Sequence, residues 1–169
     1  MALTTATGGL VVKYADPEVP ERTGVCWADT AARMGFVREE GDNEGEWVER
    51  FQSTTNTPPG SAWCGSFVYW SLAQCGRAPQ GDPSRFAWVP NWFPKDRLVS
   101  RSDVRPGDVY GIYFRNKGRL AHVGIVVQVN DDGSLTVAEG NTNYLGSRDG
   151  SGCHLRNRVP TSMDRFARW

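Results

Sequence analysis

Four side chains of this sequence have the types and the order needed for acyl transfer: Cys64, His122, Glu139 and Asn141. A thiolate attacks a carbonyl, an imidazole takes and returns the proton, and a carboxylate or amide holds the ring in one tautomer and plane. Cys64 follows Pro58-Pro59-Gly60, which cannot continue a helix. After it, Phe67, Val68, Trp70, Leu72 and Cys75 repeat at the spacing of one buried helix face, and Gly76 supplies a stop. Cys64 is therefore expected at, or one residue before, the first turn of a helix. Unpaired N–H groups and the positive end of the dipole there favour thiolate over thiol. The same N–H groups could hold the negative oxygen of a tetrahedral intermediate. Against this stands the plainer reading of Cys64 as a small buried hydrophobe, as most free cysteines are.

His122 tips the balance. It opens the apolar run Val123-Gly124-Ile125-Val126-Val127, and Glu139 and Asn141 close the next run. Pairing 123–129 with 135–139 around the Asn130–Ser134 turn returns Glu139 and the Asn141 region to the side of His122. Either polar group could then fix the imidazole. His154, beside Cys153 in a strand with Arg156 and Arg158, is the rival base, but no carboxylate partner for it is identifiable.

The elements that must position these groups come in two blocks. Helices are expected over Thr23–Met34, about Glu44–Gln52, and from Cys64 to Gly76. Strands are expected at 109–114, 122–129, 135–139 and 153–159, joined by turns at Asn116-Lys117-Gly118 and Asn130-Asp131-Asp132-Gly133. Helices followed by hairpin-linked strands mean an α+β fold with an antiparallel sheet. Residues 1–20 read as an irregular arm, with Leu10-Val11-Val12 against the body, and 21–169 as a single catalytic domain; the 161–169 tail is too short to assign. The acidic loop 39–46 is read as helix-capping, through Asp42 or Asn43. It could hold calcium but lacks the alternating ligands of an EF-hand loop, and no metal is assigned. Phe86-Ala87-Trp88-Val89-Pro90-Asn91-Trp92-Phe93-Pro94 does not fit a sheet interior. Its rings could fill a core edge on one side and wall a groove on the other, so Trp88 and Trp92, with Trp63 beside the cysteine, are the expected substrate contacts.

Composition narrows the partners. The chain has 169 residues and a formal net charge of zero, which argues against nucleic acid or an anionic membrane surface. The Met1–Leu10 start lacks the basic and apolar regions of a signal peptide, so synthesis in the cytoplasm is expected. Of four cysteines, no two show zinc-knuckle spacing. A Cys26–Cys75 disulfide is one possibility, but without a secretory signal the expectation is four thiols.

Trp63-Cys64 with Phe67-Val68 and Trp70, then Arg105-Pro106-Gly107-Asp108-Val109, Ala121-His122-Val123-Gly124-Ile125-Val126, and Glu139-Gly140-Asn141-Thr142 resemble, in that order, the CHAP domain. These are cysteine- and histidine-dependent amidohydrolases and peptidases, relatives of the NlpC-type peptidases within the papain-like fold. The resemblance runs from about Val25 to Val159. Glu40, Asn43 and Gly45 resemble a variant with a short helix pair before the Cys loop. Arg148-Asp149-Gly150-Ser151-Gly152 is similar to its last turn, and Cys153 departs from its usual aliphatic residue. The resemblance implies Cys64 as nucleophile, His122 as base, Glu139 as its orienter, and Asn141 as a second polar group near the ring or the oxyanion. It also implies cleavage of an amide in bacterial peptidoglycan, at the muramyl–L-alanine bond or within the peptides, without a cofactor. The expected setting is a monomer reaching the cell wall as a phage lysin or a secreted effector, the latter with an immunity protein. The rival readings are a non-catalytic module gripping wall peptides or a partner, and a cytosolic amidase for a small peptide-like substrate.

Overall fold

Among the described residues three short α-helices precede the sheet: α1 (Cys26–Ala32), α2 (Glu46–Thr54) and α3 (Cys64–Ala73). The computed structural model describes residues 22–143, 145 and 150–169. The expected arm 1–20, the Leu10-Val11-Val12 contact, and Arg148 and Asp149 of the last turn lie outside the described residues. α3 is buried on nearly every side, as its almost uniformly apolar sequence requires. It ends where Gly76 takes φ +66°: Arg77 N–H donates to the Leu72 carbonyl and Gly76 N–H to that of Ala73, a Schellman stop. α1 is shorter than its apolar spacing indicates, because the chain tightens into a 3-10 turn at Arg33–Phe36.

The expected cap on α2 is corrected. Gly45, at φ 124°, occupies the N-cap with no side-chain bond, while Asn43 sits at φ 59° and its amide donates to Asp42. The acidic loop is instead tied to the chain before Cys64. Glu39 accepts from Trp63 Nε1 at 2.8 Å, and Gln52 Nε2 donates to the carbonyls of Asn43 and Ser61.

Six antiparallel strands follow: β1 (Leu98–Val99), β2 (Val109–Phe114), β3 (Arg119–Val129), β4 (Leu135–Thr142), β5 (Gly152–Arg158) and β6 (Arg165–Ala167). They are ordered β1-β6-β2-β3-β4-β5. The α+β architecture is as expected, but β1 and β6 were beyond sequence patterning, being two and three residues long. One sheet face carries Val109, Val123, Ile125, Val127, Ala138, Cys153 and Leu155 against the helices. There Phe51 of α2 meets Trp63, Phe67 and Trp70, with ring centroids 5.1–5.5 Å apart. The other face carries a smaller cluster of Tyr110, Val126, Leu135, Val137 and Phe166.

Cys26 and Cys75 form a disulfide, joining the start of α1 to the end of α3. This corrects the expectation of four thiols; their 6.0 Å Cα separation depends on helix packing between residues 49 apart, which no local pattern reveals. Only Cys64 and Cys153 remain free.

Candidate active site

Each polar group reaches the site by an identifiable local feature. Cys64 is the first residue of α3 because Trp63, at φ −125°, is still outside the helix and is anchored through its indole to Glu39. Gly65 follows because a Cβ there would come within 2.3 Å of the Phe86 carbonyl, so the aromatic segment lies directly on the helix start. His122 stands on β3 opposite Ile112 of β2, and Gly124 stands opposite Glu139 of β4. His122 and Glu139 are thus diagonal neighbours on adjacent strands, within reach of long side chains. The glycine between them in register is required: a Cβ on Gly124 would lie 2.8 Å from Glu139 Cγ, in the slot that the glutamate stem occupies.

The imidazole and the carboxylate meet at 2.8 Å, His122 Nε2 to Glu139 Oε2, and both residues are about 1 % exposed. Because an ionised carboxylate only accepts, Nε2 carries the donated proton. Nδ1 makes no hydrogen bond to another described group and is left for Cys64, whose side chain interacts with the ring. A residue the sequence reading did not single out completes the row: Arg158 of β5 donates from Nε to Glu139 Oε1 and from Nη2 to Oε2, each at 2.6 Å. Its signal was faint, a charge at alternate positions of a strand that pairs with the strand of Glu139.

Protonation follows from these contacts. Burial raises the Cys64 thiol, but its interaction with the His122 ring, together with the Val123 and Gly65 N–H groups, brings it below its ordinary value. Burial alone would lower His122; the Glu139 charge and the Cys64 contact lift it to about 9. Glu139 is raised by burial, yet the Arg158 bonds and the His122 charge hold it down at about 2. All three shifts favour a thiolate beside an imidazolium beside a carboxylate. Such an arrangement can attack a carbonyl and protonate its leaving group.

The other expected site residues make different contacts. Asn141 is buried at φ 54°, where the β4–β5 register shifts, and its Oδ1 accepts from Gly150 N–H rather than from His122. Its Nδ2 has no hydrogen bond among the described residues. Trp63 and Trp92 are not groove residues, which corrects two expected substrate contacts. Both are fully buried, with Trp63 stacked on Phe51 and Trp92 donating from Nε1 to the Phe86 carbonyl. Burial of ring area drew them into the core, and Trp88 alone of the three is open, at 50 % exposure. The guanidinium of Arg119, three residues before His122, lies 4.0 Å over its ring. His154 stands opposite Glu139 on β5, but the carboxylate bonds His122. Among the described residues no group of three or more His, Cys, Asp or Glu is placed to hold a metal ion.

No curated protein and no solved structure is a significant match to the chain. A family model does match, over residues 56–141, a span that includes Cys64, His122, Glu139 and Asn141: that of the CHAP domain.

Proposed function

The chain belongs to the CHAP domain family, typically cysteine- and histidine-dependent amidohydrolases acting on peptidoglycan, and from that premise we propose that it cleaves one amide bond of the bacterial cell wall through a thioester on Cys64. The observation that carries this reading is the buried His122–Glu139 pair at 2.8 Å with Cys64 at the head of α3, interacting with the same ring.

In the proposed cycle the Cys64 sulfur adds to the carbonyl carbon, and the Cys64 backbone N–H at the head of α3 donates to the resulting oxyanion. Collapse breaks the C–N bond while His122 Nδ1 gives its proton to the leaving amine. The neutral ring then takes a proton from water, whose hydroxide attacks the thioester and restores the thiolate and the imidazolium. Nε2 stays bonded to Glu139 throughout. Trp88 with Arg119 is the proposed wall for the extended peptide, since it is the exposed aromatic beside the helix start. The Cys26–Cys75 disulfide supports action in an oxidising space outside the reducing cytosol.

The test is mass spectrometry of muropeptides from purified sacculi digested with wild type and with Cys64→Ala. New amines present with wild type and absent with the variant are expected; an amine on L-alanine identifies an amidase, one on a D-centre an endopeptidase. Intact sacculi in both samples would leave a binding module in place of an enzyme.

A further inference from the structure

Arg158 has no place in a three-residue account of the site, yet it makes the shortest contacts in it. Its guanidinium engages both oxygens of Glu139 at 2.6 Å in a bidentate fork. The Glu139 side chain is 0 % exposed and that of Arg158 only 19 %, so little water screens the pair. Read along the row, the charges alternate: Cys64 negative, His122 positive, Glu139 negative, Arg158 positive, and they sum to zero. Without the arginine, a thiolate–imidazolium pair backed by a carboxylate would carry a net negative charge in a buried place, and the cheapest correction is a proton on sulfur.

We propose that Arg158 is a positioning residue of this site, acting through Glu139 to balance the charge that allows the Cys64 thiolate to form. The proposal rests on Cys64 being the nucleophile but concerns its ionisation rather than its substrate. Other groups that face the cluster do not replace the arginine. Tyr110 of β2 gives its hydroxyl to Asp164 at 2.8 Å, and Asp164 also accepts from the N–H groups of Tyr113 and Thr161. Those two groups add an acid rather than a cation. His154 and Arg156 stand on β5 with Arg158, His154 opposite Glu139 and Arg156 opposite Val137. Neither bonds the Glu139 carboxylate, whose partners are His122 and Arg158.

The test reads the pH dependence of Cys64 alkylation by iodoacetamide, followed on the Cys64 peptide by mass spectrometry, and needs no substrate. Relative to wild type, Arg158→Met should move the alkylation midpoint up by about one pH unit or more. Arg158→Lys should restore most of that shift, because it returns the charge without the fork. Glu139→Gln combined with Arg158→Met should also lie near wild type, since the row is again neutral. A residue that merely supports folding would change the yield or thermal midpoint of Arg158→Met and leave the alkylation midpoint where it was; that result overturns the proposal. Should Arg158→Met fail to fold, Arg158→Gln, which removes the charge but keeps a polar group toward Glu139, decides: a midpoint displaced upward supports the proposal, and one near wild type overturns it. A normal alkylation midpoint in a protein that leaves sacculi intact would sink the hydrolase reading alone.

Discussion

Two buried thiols in this molecule behave in opposite ways. Cys64 heads α3 beside an imidazole and two N–H groups, and its acidity is raised. Cys153 lies 1 % exposed on β5 in the helix-facing core, where burial pushes its pKa well above the ordinary value and Arg38 offsets this only in part. Residue type and burial are shared, so neither explains reactivity. What separates the two is a partner that gains when the sulfur loses its proton.

The largest expected consequence is on turnover. Cys64→Ala should lower the rate of sacculus hydrolysis by at least about 10⁴-fold, whereas Cys153→Ala should leave it within a few-fold of wild type. Equal losses in the two variants would erase the contrast. Next comes stability. Replacing both Cys26 and Cys75 by alanine should cost about 4 kcal/mol, measured by urea unfolding, because the bridge spans 49 residues. Cys64 should remain the faster-alkylated free thiol in that variant.

A smaller effect is graded with pH. Since His122 is lifted from 6.5 to about 9, the imidazolium proposed to protonate the leaving amine is present below that value and lost above it. Hydrolysis should fall about tenfold per unit above pH 9 while alkylation of Cys64 continues, because the thiolate persists. Parallel decline of both would show that the protein unfolds there. On the acid side, Glu139 is lowered from 4.5 to about 2. Its stabilising contribution is complete above pH 4.5 and lost as the pH falls through about 2, and Glu139→Gln should remove that dependence. The smallest expected effect is at Trp88. Trp88→Ala should raise KM a few-fold with the thermal midpoint unchanged, whereas Trp92→Ala should destabilise by about 3–5 kcal/mol. A stability loss in Trp88→Ala would make it a core residue like its neighbour.

Much of this was legible in the residues. The helix at Cys64, its stop at Gly76 and the bounds of β2 follow from periodicity and glycine, and the β3–β4 hairpin follows from the Asn130–Ser134 turn. Hairpin geometry also indicates why Glu139 can face His122. Three things were not legible, each for a physical reason. The Cys26–Cys75 contact is made by helix packing. The groove or core fate of Trp63, Trp88 and Trp92 depends on which ring faces outward, and composition is the same in either case. Arg158 depends on the register of β5 against β4, which no residue pattern fixes.

The Cys26–Cys75 bridge closes a ring of chain that contains Cys64 itself. Timing of oxidation therefore matters as much as its extent. An oxidant that meets the chain before α1 and α3 have docked can join any two of the four sulfurs, and several of those choices consume Cys64. One that arrives after docking finds Cys26 and Cys75 already side by side, with the remaining two thiols shielded inside. Preparations oxidised late should thus be uniform, and those oxidised early a mixture whose inactive members still carry the correct mass.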